Sequence, residues 1–326
     1  MEFGLKALTD IWTGGVKGET DKLHLTGIKG SFRWWYEVLI RGLGYYACDP
    51  TADDACNLDP KRLVANSPMP HQDQIKGLIC SACYFFGCTG WSGKFNLRVK
   101  EYREKDVNVK IKTGGIKEGE CFIIEFIQRK KFDLEEILLV TITWKLIVDY
   151  GAFAGKITFK PSEIETKNGK FHHTDFGLLA RAKNSNISTE KIDRDGISNY
   201  LKSFTNNSSK NNNALPNLQN FWFVKDSYFD RSEINSIVER DNNGKYKNNS
   251  SEIAKFLGGD ISVSKKIFSF HGMREINGKL MQAFLPRCFG YVEKNKLDEV
   301  INLIKTKIPE AEIREIKRGE EVLSEL

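Results

Sequence analysis

Lys29 and Arg33 stand four residues apart in Leu25-Thr26-Gly27-Ile28-Lys29-Gly30-Ser31-Phe32-Arg33-Trp34-Trp35, a spacing that puts two cations on one face of a helix. Thr26 is the expected N-cap. The unpaired N–H groups of a first helical turn attract anions, helped by the helix dipole. Gly27 and Gly30 leave the backbone uncovered, so a phosphate can approach closely. No acidic residue occurs from Lys22 to Tyr36 to cancel the field. The chemistry this implies is phosphate binding, by a clamp of Lys29, Gly30 and Arg33, with Arg41 further along the same helix. The competing reading is a capped amphipathic helix whose polar face happens to be basic.

A second acid-free stretch, Gln74 to Lys100, interleaves cations with aromatics. That mixture suits single-stranded nucleic acid, because bases stack on aromatic faces while phosphates meet the cations. Trp91, Lys94 and Arg98 are the candidate contacts. Phe85 and Phe86 are assigned to the core, the usual place for aromatics beside a strand. The segment Gly151-Ala152-Phe153-Ala154-Gly155-Lys156 adds Gly155 and Lys156; glycine-rich turns cradle phosphates, although more of them are simply turns.

Cys80 and Cys83 have the two-residue spacer that zinc sites use, and Cys48 and Cys56 are the available further ligands. Reduced, partly buried thiols without a cofactor are the expected state, with a structural zinc as the alternative. Catalytic sets are sparse. His24, before the basic helix, is placed to act as general base on an RNA 2′-hydroxyl with Lys29 steadying the phosphate, and Asp21 lies close in sequence. A single histidine ahead of a helix is more often structural. There is no Walker loop, G-x-S-x-G or H-E-x-x-H motif. The expectation is binding without catalysis.

The elements that must position these residues follow from hydrophobic periodicity. Leu5–Trp12 reads as a strand. Ile28, Phe32, Trp35, Leu39 and Leu43 form a helical stripe ended by Gly42 and Gly44. Strands are expected over Phe95–Lys100 and Cys121–Ile127. A helix is expected over Asp133–Val148, with Asp133 as N-cap and Glu136 completing a capping box, the β-branched run Val140-Thr141-Ile142-Thr143 leaving a strand as the alternative, and a strand is expected at Ile157–Phe159. This order fits a ferredoxin-like β-α-β-β-α-β unit. The second half reads as a broken copy, with strands at Ile261–Phe270, Leu280–Leu285 and Glu312–Lys317 and a helix through Leu297, Val300, Ile301 and Ile304. The expected fold is therefore α+β, two ferredoxin-like units in tandem. The first covers 1–180 with an insertion near 46–80, and the second covers 181–326 with Asn-rich insertions near 205–214 and 241–250.

Composition sets the bounds. The chain has 326 residues, 40% of them apolar, and a net charge of +6, which excludes global disorder and permits nucleic-acid binding without implying it. No apolar run reaches the roughly 20 residues of a membrane-spanning helix. The first residues lack a signal-peptide pattern, and seven cysteines in a long chain suggest a reducing compartment. The expected location is the cytoplasm, away from membranes.

These segments together resemble the RAMP superfamily of CRISPR proteins. More narrowly, they resemble the family of first subunits of Cmr, the type III-B RNA-targeting complexes. The resemblance is carried by Thr13-Gly14-Gly15, by Ile28 to Trp35, and by Cys80-Ser81-Ala82-Cys83-Tyr84-Phe85-Phe86-Gly87-Cys88-Thr89-Gly90-Trp91. Gly151 to Lys156 with Phe176-Gly177 is similar to the family's glycine-rich loop, here split by the polar insertion Lys160–Thr174. The resemblance implies a tandem ferredoxin-like fold within a multi-subunit ribonucleoprotein. Its partners would be guide RNA near the 3′ end, target RNA and other RAMP subunits, with target cleavage left to a different subunit. Two rivals remain: a RAMP endoribonuclease using His24 with Lys29, or Asp21, and a scaffold that touches only proteins.

Overall fold

The computed structural model describes residues 1–14, 23–53, 55–65, 67–101, 103–104, 107–108, 115–154, 163–165, 171–173, 176–182, 185–187, 194–204, 215–260, 264–276, 279–308 and 315–326. Of 103–104, 107–108, 163–165, 171–173, 273–276, 279–284 and 294 it describes the backbone path alone.

The first unit is built on strands β1 (Glu2–Ala7), β2 (Phe95–Glu101), β3 (Cys121–Gln128) and β4 (Leu179–Arg181), with helices α1 (Leu25–Gly42) and α4 (Leu134–Asp149) as crossovers. The sheet order is β4-β1-β3-β2 with every pairing antiparallel, the order a β-α-β-β-α-β unit produces. Alternation does the work on β3: Phe122, Ile124 and Phe126 are buried beneath the helices. The expected helix at Asp133 begins as anticipated, with Glu136 accepting the Asp133 N–H at 2.9 Å. The expected strand at Ile157–Phe159 lies outside the described residues; β4 closes the sheet instead. The boundary expected at 180 falls inside β4, and helix α5 (Arg194–Lys202) packs on α4. Two short helices, α2 (His71–Lys76) and α3 (Ser81–Phe86), follow the irregular segment after α1. That segment, expected as an insertion, contributes Ala47, Cys48, Leu58, Ile75 and Ile79 to the buried core.

The second unit repeats the plan with β5 (Phe221–Lys225), α6 (Arg231–Ile237), α7 (Glu252–Gly258), β6 (Ile267–Phe270), β7 (Arg287–Tyr291), α8 (Leu297–Lys307) and β8 (Ile316–Arg318), and helix α9 (Gly319–Glu325) ends the chain. The order is β6-β7-β5-β8, again antiparallel throughout. The strand expected at Leu280–Leu285 is Lys279–Phe284, which pairs with Met273–Ile276 in a hairpin outside this sheet.

β5 and β7 escaped the periodicity reading because this sheet is covered on both faces, which turns an alternating strand into a continuous apolar run. Phe221 and Phe223 join the core of the first unit, whereas Trp222 and Val224 pack beneath the second unit's own helices. The Asn-rich 241–250 segment is an ordered surface turn, with Lys245 N–H donating to Asp241 Oδ1 at 2.8 Å and Arg240 stacked on Tyr246. The segment 205–214 lies outside the described residues. No described helix is long and apolar enough to cross a membrane.

Candidate RNA-binding site

Three glycine-bearing segments meet at the N-terminal end of α1. The Thr13 hydroxyl accepts the His24 backbone N–H at 2.8 Å. His24, not Thr26, is the N-cap residue; Thr26 sits exposed in the first turn. The second segment, Gly151 to Ala154, leaves the C-terminus of α4 and is held against α1. Trp35 Nε1 donates to Ala152 O at 2.6 Å, and Ala154 N–H donates to Ser31 Oγ at 2.9 Å. The third, Phe176-Gly177, is tied to both others: Gly177 N–H donates to Asp10 O at 3.0 Å, and Phe153 N–H donates to Gly177 O at 2.7 Å. Gly151 has a steric reason, since a Cβ there would lie 2.6 Å from the Trp35 ring.

Ala154 is held at φ 93°, in the region that favours glycine. Such a conformation persists only where its surroundings enforce it. The chain continues from there into Gly155 and Lys156, which lie outside the described residues, as does Asp21. The junction carries no acidic side chain in the first turn of α1, and Asp10 is paired with Lys117 at 2.6 Å. A Cβ on Gly30 would meet nothing within 4 Å, so this exposed glycine faces open space beside the junction.

The cations expected to form the clamp divide into two groups. Arg33 is spent inside the fold: its guanidinium pairs with Glu37 at 2.6 Å and donates to Gly87 O at 2.9 Å and Cys83 Sγ at 3.2 Å. Arg41 is buried, donating to Ala47 O and Cys48 O at 2.9 and 3.0 Å and to Pro216 O at 3.1 Å. Lys94 is buried too and pairs with Glu136 at 2.7 Å. These three are corrections to the expectation of free basic residues, because buried charges must be paired to be tolerated. Trp91 is likewise not an open stacking platform. Its ring stacks on Tyr84, carries the Lys130 ammonium 3.2 Å from its centroid, and donates Nε1–H to Tyr84 O at 2.9 Å.

Arg98 does reach solvent, its side chain 60% exposed and 3.6 Å from Glu125. Lys29 is half-buried. Its ammonium donates to Phe86 O at 2.9 Å and lies 5.0 Å from the Phe95 ring centroid. Burial lowers its pKa, and the nearby charges of Arg33 and Arg129 lower it further. Lys130 is lowered by burial and by Arg129 and Lys94. Arg129 and Lys131 are exposed; the sequence reading missed this cluster, although Arg129-Lys130-Lys131 is the signal that could have found it.

The four cysteines named as possible metal ligands, and expected to be reduced, partly buried thiols, converge. The Sγ atoms of Cys48, Cys56, Cys80 and Cys83 all lie within 4.8 Å of one another, three of the residues buried and Cys56 half-buried.

Comparison with known proteins places the chain. A solved structure, the crystal structure of Cmr1 from Pyrococcus furiosus in its apo form, is similar over 98% of each chain, with 13% sequence identity and a TM-score of 0.43. No curated protein matches the sequence. Residues 4–259 match the RAMP superfamily, a span that takes in nearly all of the first unit, the junction at α1 and the start of the second. The chain belongs to the RAMP superfamily.

Proposed function

We propose that this protein is a non-catalytic RNA-binding subunit of a CRISPR ribonucleoprotein of the Cmr, type III-B, kind. It holds guide RNA near the 3′ end, target RNA or both, alongside other RAMP subunits in the cytoplasm. The observation that carries this reading is the α1 junction. There an acid-free helix start, a strained backbone at Ala154 and the open face of Gly30 come together, with Lys29 beside Gly30 and the exposed cations Arg129 and Lys131 on the strand-to-helix turn after β3. Backbone N–H groups and clustered cations are what RNA phosphates require. Superfamily membership and the motifs Ile28–Trp35 and Cys80–Trp91 support the same reading.

The test is Gly30→Glu, measured by filter binding of single-stranded and guide-derived RNA at two salt concentrations. A side chain at Gly30 meets open space, and glutamate is a better helix former than glycine, so the fold should survive. The carboxylate should repel phosphate and weaken binding at least tenfold. Wild-type affinity in a folded Gly30→Glu protein would move the RNA elsewhere. No salt-sensitive RNA affinity in the wild type would favour a protein-only scaffold. Site-specific RNA cleavage lost on His24→Ala would favour the endoribonuclease.

A further inference from the structure

We propose that Cys48, Cys56, Cys80 and Cys83 bind one structural zinc ion that fastens the 45–80 segment to the first unit. The proposal does not rest on the RNA-binding reading. The four thiols arrive from separate places. Cys48 follows the end of α1, Cys56 belongs to the irregular segment, and Cys80 and Cys83 open α3. Chain connectivity alone gives no reason for four sulfurs to crowd one point.

The spacing has the size of a single ion. Zinc–sulfur bonds of about 2.3 Å at tetrahedral angles put sulfurs about 3.8 Å apart. Cys48 and Cys80 are 3.8 Å apart, Cys48 and Cys83 are 3.4 Å apart, and every pair in the quartet is within 4.8 Å. These separations are far longer than the ~2.05 Å of a disulfide. They are also too tight for an iron–sulfur cluster, whose thiolates must embrace several metal and sulfide atoms.

The surroundings suit a tetrathiolate. Cys83 N–H points at Cys80 Sγ and Cys80 N–H points at Cys56 Sγ, both at 3.4 Å, which is how outer groups orient and neutralise metal-bound sulfur. Arg33 donates to Cys83 Sγ at 3.2 Å, and Arg41 holds the Cys48 carbonyl at 3.0 Å. Four thiols give up their protons to solvent on binding, leaving a centre of net charge −2. Arg41, which is buried, and Arg33, which is mostly covered, share the Glu37 carboxylate and lie where that charge needs them. This also explains why Arg33 and Arg41 are turned inward.

The experiment is elemental analysis of the full-length protein, purified without a metal-affinity step and dialysed. We expect about one zinc per chain, released in step with thiol titration by a mercurial reagent. Growth or refolding with cobalt(II) should give the intense visible bands of a tetrahedral thiolate complex, a readout that needs no variant. Cys80→Ser and Cys56→Ser should lose the metal, whereas Cys88→Ser and Cys121→Ser should keep it. If the ligand variants do not fold, the cobalt spectrum and metal content of the wild type still decide. Protein refolded with excess zinc that retains none after gel filtration overturns the proposal. Stoichiometric iron in place of zinc overturns it as well, and so does loss of the metal in Cys121→Ser.

Discussion

Arg287, on the second sheet, donates its guanidinium N–H to the carbonyl of Val148 at 2.6 Å, at the end of α4 in the first unit. The same group reaches Ile147 O and Leu179 O at 3.3 Å and Gly151 O at 3.4 Å. α4 has no basic residue of its own in its last turn, so the second unit supplies the cation that the helix C-terminus attracts. One buried side chain therefore ties together α4, β4 and the start of the glycine segment. Burial lowers its pKa to about 10, which leaves it charged at neutral pH.

Arg287→Met should destabilise the protein by about 3 kcal/mol, because several buried carbonyls lose a charged donor. Arg287→Lys should recover only part of this, since an ammonium cannot span the same set of acceptors. Urea unfolding followed by tryptophan fluorescence and by circular dichroism checks both. Wild-type stability in Arg287→Met would mean the two units are held by their apolar contact alone.

The buried Lys94–Glu136 pair makes a second prediction. Lys94→Met strands the buried Glu136 carboxylate and should cost about 3–5 kcal/mol; Glu136→Leu should cost less, because Asp133 stays 3.4 Å from the Lys94 ammonium. The double variant should lie closer to wild type than either single one. Some loss should remain, because Tyr200 also donates to Glu136, at 2.8 Å. Strictly additive losses in a double-mutant cycle would show that the pair is not coupled.

Adjacent tryptophans should respond differently. Trp35 is fully buried, against Phe221 and Phe289, and Trp35→Ala should cost about 3–5 kcal/mol. Trp34 is only half-buried, against Phe221 and Tyr291, so its truncation should cost less. Chemical denaturation of the two variants side by side distinguishes them; equal losses would contradict the burial.

Among the cations, Arg33→Ala should lower the melting temperature, because it leaves the buried Glu37 carboxylate with Arg41 at 3.6 Å as its remaining partner. Arg129→Ala with Lys131→Ala should leave the melt unchanged, as exposed charges contribute little to folding. If these two meet phosphates, that double variant should weaken RNA binding across unrelated sequences. It should also reduce the salt slope by about 1.4, at roughly 0.7 for each phosphate on a single strand. An unchanged slope would remove this cluster from the RNA path.

Much of the fold was legible because its signals are local. The stripe through Ile28, Phe32, Trp35 and Leu39 is the buried face of α1. Asp133 and Glu136 mark the start of α4, and the alternation in Cys121–Ile127 is the pleat of β3. The β-α-β-β-α-β order followed from them. β5 and β7 were not legible, since a strand buried on both faces loses the period that identifies it.

The candidate site divides along the same line. Residue spacing by itself determined that α1 begins acid-free with glycines and cations, and that Cys80 and Cys83 stand one helical turn apart. Tertiary structure decided which cations remain free. Lys94 and Arg98 look alike in sequence, yet one is buried against Glu136 and the other is exposed. It also decided that Cys48 and Cys56 meet Cys80 and Cys83. Spacing reports only neighbours on one element, whereas charge pairing and sulfur–sulfur approach depend on distance through space between segments tens of residues apart.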